Sequence, residues 1–168
     1  MSWSISPDDP RVGDVRALLA AHLAFAHEHS PPEDVHALDV SGLVGPAVSF
    51  FSCRDDGRLL GVGALKQLDE RHAELKSMHT AAAARGQGVG RAMVGHLLAT
   101  ARARGCRRVS LETGTMAAFE PARALYASVG FAPCPPFADY PDSPNSVCMT
   151  LLLDGADGAP GAEEPLSG

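Results

Sequence analysis

The sequence predicts one α/β domain, built on a central mixed sheet that is mostly antiparallel and is flanked by helices. The chain has 168 residues, of which 45% are hydrophobic, so it is long enough for one core and too short to suggest two domains. Its predicted elements follow the order strand, helix, three strands, helix, strand, helix and two strands. The middle strand-helix-strand unit is the only obvious parallel crossover in that order.

The first half of the chain predicts a strand, a helix and an antiparallel meander. Residues 2–6 ("SWSIS") form a short strand, and Pro10 then begins a helix that continues to about His29. An irregular loop containing two adjacent prolines follows. Residues 47–80 contain three strands, with a hairpin turn at Asp55-Asp56-Gly57.

The second half predicts alternating helices and strands. Apolar residues recur at helical spacing from Val89 to Ala101, and a short buried strand follows Gly105. A second helix begins at Pro121, and two closing strands flank a proline-rich segment. Residues 154–168 are rich in Gly, Ala, Pro and acidic residues, so they are predicted to be a disordered tail that leaves residues 1–153 as the domain.

Composition limits the partners that we expect. Fourteen Lys and Arg against twenty Asp and Glu give a net charge of −6, which argues against nucleic acid or an anionic membrane as a partner. The four cysteines are scattered, without a C-x-x-C pair or zinc-type spacing, and are expected to be reduced. No signal peptide or membrane span is recognisable, so the sequence predicts a cytoplasmic protein.

A glycine-rich loop stands between the third meander strand and its helix. It has the sequence Arg85-Gly86-Gln87-Gly88-Val89-Gly90, and Arg91 follows. Three alternate glycines remove every second Cβ, which leaves successive backbone N–H groups free at the positive end of a helix. The loop is therefore a candidate site for a phosphate or pyrophosphate group.

Of two known phosphate-binding motifs, the P-loop does not fit this loop and the dinucleotide fingerprint fits it only in part. A P-loop needs four residues between its glycines and then Gly-Lys-Ser/Thr, whereas Gly86 and Gly90 are separated by three residues and Arg91 is followed by Ala92. A dinucleotide fingerprint would require glycine at position 91, although Glu112 ends the next strand where an acid could bind a ribose. An NAD-dependent oxidoreductase therefore stays open as an alternative.

The pattern Arg85-x-x-Gly88-x-Gly90 resembles the (Q/R)-x-x-G-x-(G/A) signature of the GNAT superfamily of acyl-CoA-dependent N-acyltransferases. Before the loop, "ELKSMHT" is similar to the fourth strand of that family, and residues 122–131, "ARALYASVGF", are similar to its A-x-x-L-Y-x-x-x-G-F segment. The resemblance implies a GNAT-like fold, whose central sheet is splayed between strands 4 and 5 with coenzyme A in the gap.

The resemblance also implies that acetyl-CoA is the co-substrate. Its pyrophosphate would lie on the N–H groups of the glycine loop, and its pantetheine arm would pair with the end of the strand before it. An N–H group near Met78 would polarise the thioester carbonyl. The cofactor-binding residues implied in this way are Met78, His79, Thr80, Arg85, Gly86, Gln87, Gly88, Val89, Gly90 and Arg91.

Two catalytic residues are implied. Tyr126 matches the tyrosine that in many family members protonates the departing thiolate, and its alternative role is a core aromatic residue. Glu74 matches the catalytic glutamate of the histone-acetyltransferase branch, and its alternative is a solvated ion pair with Lys76. His79, Glu112 and a chain of water molecules compete with Glu74 for the role of general base.

Strand alternation predicts which side chains of this segment share a face. It places Glu74, Lys76, Met78 and Thr80 together, and it places Leu75, Ser77 and His79 on the opposite face. The sequence departs from the family at Phe119, where many members have an asparagine that contacts the cofactor. This departure puts the cofactor contacts of residues 113–121 in doubt.

The loop after the first helix is expected to wall the acceptor pocket, by the same resemblance. Its histidines lack the spacing of a metal site, and transfer to an amine needs no metal, so none is predicted. Acidic groups there would suit a cationic amine. The candidate acceptor-binding residues are Glu33, His36, Asp139 and Tyr140.

These observations predict an N-acetyltransferase that transfers the acetyl group of acetyl-CoA directly to a primary amine of a small molecule in a ternary complex. Two alternatives remain from the sequence. One is a non-catalytic acyl-CoA-binding module of the same fold, and the other is the NAD-dependent oxidoreductase. A homodimer is compatible with the sequence.

Overall fold

The computed structural model describes residues 2–36 and 39–153. The predicted tail, residues 154–168, lies outside the described residues. The strands are β1 (Trp3–Pro7), β2 (Val48–Asp55), β3 (Arg58–Gln67), β4 (His72–Thr80), β5 (Arg108–Gly114), β6 (Ala132–Cys134) and β7 (Ser146–Leu152). The α-helices are α1 (Gly13–His29), α2 (Val89–Ala103) and α3 (Glu120–Val129).

The strands form one seven-stranded sheet in the order β1-β2-β3-β4-β5-β7-β6. Neighbouring strands are antiparallel, except for β4 and β5, which run parallel because α2 crosses over between them. The predicted mixed, mostly antiparallel sheet with flanking helices is therefore confirmed. The largest difference among the predicted helix starts is that of α1, which begins at Gly13 rather than at Pro10, since Asp9 holds residues 9–12 in a turn by accepting from the backbone of Arg11 and Val12.

Helices cover both faces of the sheet. On one face, Met93 and Leu97 of α2 are fully buried in a cluster that includes Leu65 and Leu75 of the strands. Residues of α3 belong to this same cluster. On the other face, a smaller cluster contains α1 residues, among them Val15. These two apolar layers fix α1 and α2 on opposite sides of β4.

A β-bulge in β4 changes which side chains face each helix. The register with β3 shifts between Val62 and Ala64, so that Lys76 lies opposite Ala64 while His79 lies opposite Val62. Ser77, inside the bulge, has a left-handed φ of 55°. Because the extra residue moves the alternation by one position, His79 shares the α1 face with Lys76.

The alternation predicted from the sequence is therefore wrong beyond Lys76. Met78 turns to the α2 face, where its sulfur lies 2.9 Å from the point that a Cβ on Gly63 would occupy. Thr80 pairs with Gly61, whose Cβ position faces Val89 of α2. The strand thus directs Glu74, Lys76 and His79 to one face, and it directs Met78 and Thr80 to the other.

Two further properties concern the chain as a whole. The four cysteines are free thiols, and only Cys134 is half-exposed while the other three are buried. No helix within the described ranges combines the length and the apolar character needed to cross a membrane.

Candidate active site

A cavity of about 510 Å³ lies where β4 and β5 separate. The two strands pair over three residue pairs, the last of which joins Glu74 and Ser110. Beyond that pair, β4 continues to Thr80 and β5 to Gly114, and no further pairing between them is present among the described residues. Both strands line the cavity, together with α1, the glycine loop and α3. The splayed sheet that the family resemblance implied is therefore present.

The glycine loop forms one end of the cavity. Gly86 and Gly88 have φ angles of 80° and 88°, a left-handed conformation that residues with a side chain adopt at a cost. Gly88 is the N-cap of α2 and has no capping side chain, so the first N–H groups of the helix have no capping side chain among the described residues. Gly90 has a different reason to be glycine, because a Cβ there would lie 3.2 Å from Leu125 of α3.

The predicted cofactor-binding residues divide into two sets. Gln87 and Arg91 lie outside the cavity lining, where Gln87 donates to the carbonyl of Ala83 at 3.4 Å and Arg91 donates to Ser128 at 2.7 Å. Those that line the cavity are Met78, His79, Thr80, Arg85, Gly86, Gly88, Val89 and Gly90.

A buried polar cluster forms the opposite end of the cavity. Glu74 is 2% exposed, and its Oε2 accepts hydrogen bonds from the Tyr140 hydroxyl and, at 3.3 Å, from Lys76 Nζ. Lys76 Nζ also donates to the Tyr140 hydroxyl at 2.7 Å. Burial and the neighbouring carboxylate of Glu74 raise the pKa of Tyr140, which keeps its hydroxyl protonated. Glu74 and Lys76 thus form a buried pair, not the solvated pair that the sequence left open.

A second carboxyl group lies beside this cluster. Glu112 of β5 lines the cavity and accepts a hydrogen bond from Ser146 Oγ at 2.6 Å. Burial raises the pKa of Glu112, and the nearby charge of Glu74 acts in the same direction. Glu112, which the sequence analysis kept as a competing base, is therefore a carboxyl group that binds its proton more tightly than usual.

The acceptor-binding residues predicted from the sequence also divide. His36 and Tyr140 line the cavity, and their rings meet edge to face at 5.0 Å. Glu33 and Asp139 are exposed and lie outside the lining. Asp34 lines the cavity instead, and it accepts from Ser143 Oγ at 3.1 Å and from Asn145 Nδ2 at 3.2 Å.

Sequence reasoning missed Asp34 because it follows Glu33 directly. The two acids lie in one short 3-10 turn, Pro32–Asp34, and the sequence carries no signal for which of them faces inward. The hydrogen bonds to residues more than a hundred positions later decide the choice, and no local pattern indicates them.

A pair of histidines lies on the α1 side of the cavity. The Nδ1 atoms of His22 and His79 are 3.2 Å apart, so one imidazole donates to the other. Burial lowers the pKa of each histidine to about 4. Both side chains are therefore neutral at neutral pH.

Tyr126 lies in α3 and also lines the cavity. It is 7% exposed and packs against Phe131, with the ring centroids 5.9 Å apart. Burial raises the pKa of Tyr126 to about 12, so that the phenol is protonated at neutral pH.

Within the described ranges, no group of three or more His, Cys, Asp or Glu residues is placed to hold a metal ion.

Comparison with known proteins identifies the family. Residues 14–131 match the family model described as the acetyltransferase (GNAT) family. The chain is 49% identical over 149 residues to the uncharacterized N-acetyltransferase YsnE of Bacillus subtilis, covering 89% of this chain and 99% of the relative. It is 45% identical over 151 residues to the uncharacterized N-acetyltransferase YedL of Escherichia coli, covering 90% and 95% respectively.

Solved structures are similar over the same region. A Klebsiella pneumoniae protein named as an acyl-CoA N-acyltransferase has a TM-score of 0.77 and 31% identity, covering 90% of this chain and 97% of that one. A GNAT family acetyltransferase of Elizabethkingia anophelis, solved with acetyl-CoA bound, has a TM-score of 0.67 at 14% identity, covering 90% and 99%, and shows the shared fold. The oxidoreductase alternative is therefore excluded, and this chain belongs to the GNAT family as an acyl-CoA-dependent N-acyltransferase.

Proposed function

We propose that this protein transfers the acetyl group of acetyl-CoA to the primary amine of a small molecule, by direct attack in a ternary complex. The observation that carries the proposal is the continuity of one cavity, which has a helix N-terminus without a capping side chain at one end and a cluster of carboxyl groups around the buried Glu74 at the other. Bound acetyl-CoA supplies an activated acyl group, and no covalent enzyme intermediate is needed.

The glycine loop fits the pyrophosphate of the co-substrate. The backbone around Gly86 and Gly88 is left-handed, and the first N–H groups of α2 are without capping side chains. Arg85 lines the cavity beside them and adds a full positive charge. The other five lining residues of the predicted set, Met78, His79, Thr80, Val89 and Gly90, keep their proposed roles, while Gln87 and Arg91 contribute through their backbone N–H groups.

Tyr126 is the proposed general acid. It lines the cavity on the α3 side, next to Leu125, which packs against the glycine loop. Its raised pKa of about 12 keeps a proton available for the departing thiolate. A buried phenol that lines the cavity supports this role over that of a purely structural aromatic residue.

Glu74 is the proposed general base, at the acceptor end. Its carboxylate is buried within the cavity lining, and the bonds from Tyr140 and Lys76 hold it in one orientation. Asp34 and Glu112 add carboxyl groups around it, which suits a cationic amine before it loses its proton. His36 and Tyr140 complete the acceptor wall, whereas exposed Glu33 and Asp139 could act only at the entrance.

A panel of amines tests the proposal. Wild-type protein is mixed with acetyl-CoA and each amine, and the release of free thiol is followed together with acetylation of the amine by mass spectrometry. Tyr126→Phe and Glu74→Gln should each lower kcat by about 100-fold or more, while the affinity for acetyl-CoA stays unchanged.

A thermal shift with acetyl-CoA separates this function from that of a non-catalytic binding module. A module would show a raised Tm with acetyl-CoA, yet no amine would yield thiol above the hydrolysis blank. That pair of results would contradict the proposed acetyl transfer. A normal rate in both variants would instead refute the two assigned roles and leave the transfer intact.

Cellular location and assembly stay predictions. The four free thiols agree with a reducing compartment, so the cytoplasm is the location we propose. Light scattering of the purified protein measures whether a homodimer, which is compatible with the sequence, forms.

A further inference from the structure

The wall of the cavity on the α1 side changes from polar to aromatic along its length. Glu74 and Lys76 of β4 are followed on the same face by His79, after the bulge. On β5, Glu112 is followed on the same face by Gly114. The acceptor side therefore has a carboxyl end, near the paired part of the strands, and an outer end of different chemistry.

Phe119 occupies the outer end. A Cβ on Gly114 would lie 2.5 Å from the Phe119 ring, so the ring lies directly over that glycine. The ring of Phe25 from α1 meets Phe119 edge to face, with centroids 5.4 Å apart. Both phenylalanines are half-buried and line the cavity, so they offer it an apolar surface.

The histidine pair continues this aromatic wall. Phe25 and His79 have ring centroids 6.4 Å apart, and His79 meets His22 at 5.0 Å. Since burial lowers the pKa of both histidines to about 4, neither carries a charge at neutral pH. Four neighbouring rings therefore form one uncharged surface, defined by Phe25, Phe119, His22 and His79.

The carboxyl groups of the cavity are confined to the other end. Glu74 and Glu112 stand beside the paired part of the strands, and Asp34 accepts from Asn145, the neighbour of the Ser146 that donates to Glu112. Among the described lining residues, no carboxylate belongs to the aromatic wall. If the acceptor carried a second ammonium group besides the reacting amine, and that group were buried against the aromatic wall, it would lack a counter-ion. Burying an unpaired charge in this way costs free energy.

The spacing between the two ends limits the ligand. Glu112 and Gly114 are two residues apart on one strand face, which is about 7 Å along the strand. The ring over Gly114 thus lies one short linker away from the carboxyl group of Glu112. A ligand that reaches both needs an amine and an aromatic ring separated by about two or three carbon atoms.

We propose that the acceptor is a primary amine joined by a short aliphatic linker to an aromatic ring, with the ring against Phe119 and Phe25 and the amine toward Glu112. This inference rests on the proposed acetyl transfer and names the class of its acceptor. It makes Phe119 a specificity-determining residue.

Four amines of matched reactivity test the class: 2-phenylethylamine, n-hexylamine, putrescine and spermidine. Thiol release at saturating acetyl-CoA gives kcat and KM for each. The ring should improve kcat/KM about two- to tenfold over hexylamine, because aromatic contacts add to area burial. The kcat/KM of putrescine and of spermidine should be about 10- to 100-fold lower than that of phenylethylamine, because their additional charge would lie against an uncharged surface.

Variants at Phe119 test the residue. Phe119→Ala should raise KM for phenylethylamine about tenfold, with little change in kcat or in KM for acetyl-CoA, and should abolish the preference over hexylamine. Phe119→Leu keeps apolar bulk over Gly114 and therefore controls for misfolding. Its KM for phenylethylamine should lie between those of the wild type and of Phe119→Ala. Met116→Ala, in the same loop but outside the lining, is the matched control and should behave as wild type.

The outcomes separate this inference from the function beneath it. If hexylamine or putrescine reacts as well as phenylethylamine, or if Phe119→Ala affects every amine equally, the inference is overturned while the acetyl transfer stands. If no amine releases thiol although acetyl-CoA raises the Tm, the transfer itself fails and the inference fails with it.

Discussion

The hydroxyl of Tyr140 donates a hydrogen bond to Glu74, which lies 66 residues earlier in the chain. This bond joins the segment between β6 and β7 to the middle of β4. Lys76 donates to both partners, so the three side chains satisfy one another away from solvent. Removing any one of them leaves a buried polar or charged group without its partner.

Tyr140→Phe should lower the free energy of unfolding by about 1–3 kcal/mol, since the buried carboxylate of Glu74 loses a donor. Urea denaturation measures the loss. The chain has one other tyrosine, Tyr126, whose hydroxyl makes no hydrogen bond within the described residues, so Tyr126→Phe is the control and should change stability little. An equal loss of unfolding free energy in both variants would show that the hydrogen bond from Tyr140 to Glu74 does not itself stabilise the fold.

Lys76 and Glu74 should be strongly coupled. Lys76→Met leaves a buried carboxylate unpaired and Glu74→Gln leaves a buried ammonium unpaired, so each should cost about 3–5 kcal/mol. The double variant should cost clearly less than the sum. A double-mutant cycle by urea denaturation measures the coupling, and additive losses would mean that the two charges do not stabilise each other.

Gly88→Ala should weaken both the fold and the binding of acetyl-CoA. At a φ of 88°, an alanine would adopt a left-handed conformation that costs about 1–2 kcal/mol. If the backbone changed its φ to avoid this cost, the direction of the first N–H groups of α2 would change. Gly95→Ala in the same helix is the control. Its Cβ meets nothing within 4 Å, so it should stabilise the helix by about 1 kcal/mol and leave the Kd unchanged.

Calorimetric titration with acetyl-CoA and urea denaturation measure the two effects. A Gly88→Ala protein that binds acetyl-CoA as tightly as the Gly95→Ala protein would contradict the role given to the loop.

Stability should fall as the pH drops from about 6.5 to 4. The folded pKa of His22 and of His79 is about 4, below the ordinary value of 6.5, so the unfolded chain binds more protons in this window. The free energy of unfolding therefore rises with pH there, by up to about 1.4 kcal/mol per pH unit for each histidine. Below pH 4 both states are protonated and the effect is complete.

Urea denaturation at several pH values measures this slope. The double variant His22→Asn, His79→Asn removes both titrating groups and should flatten it. A slope that persists in the double variant would assign the pH dependence to other groups.

The sequence predicted the order of the helices and strands, because α2 and α3 have a clear hydrophobic period and several of the connections contain Gly or Pro. It also predicted the glycine loop at one end of the cavity, since the glycines that form it are local. The bulge at Ser77 could not be predicted: a left-handed serine carries no marker of the kind that Gly88 does.

The polar end of the cavity, around Glu74, was predicted only in part, for a related physical reason. Tyr140 and His36 were expected there, but their partners Glu74 and Lys76 are brought to them by the fold and not by neighbouring sequence. Phe119 was recognised as a departure from the family. Its contact with Phe25, 94 residues earlier, depends on how α1 crosses the sheet, and no local pattern indicates it.

The bulge at Ser77 has a consequence for how β4 tolerates change. It divides the strand into two stretches, one up to Lys76 and another from Met78 onward, and the alternation of side chains between the two faces is offset by one residue between them. A strand that kept Ser77 but lost the bulge would alternate regularly, so that Met78 would turn to the α1 face and His79 to the α2 face. One inserted residue thus allows a single strand to turn Lys76 and His79, three positions apart, to the same face of the sheet.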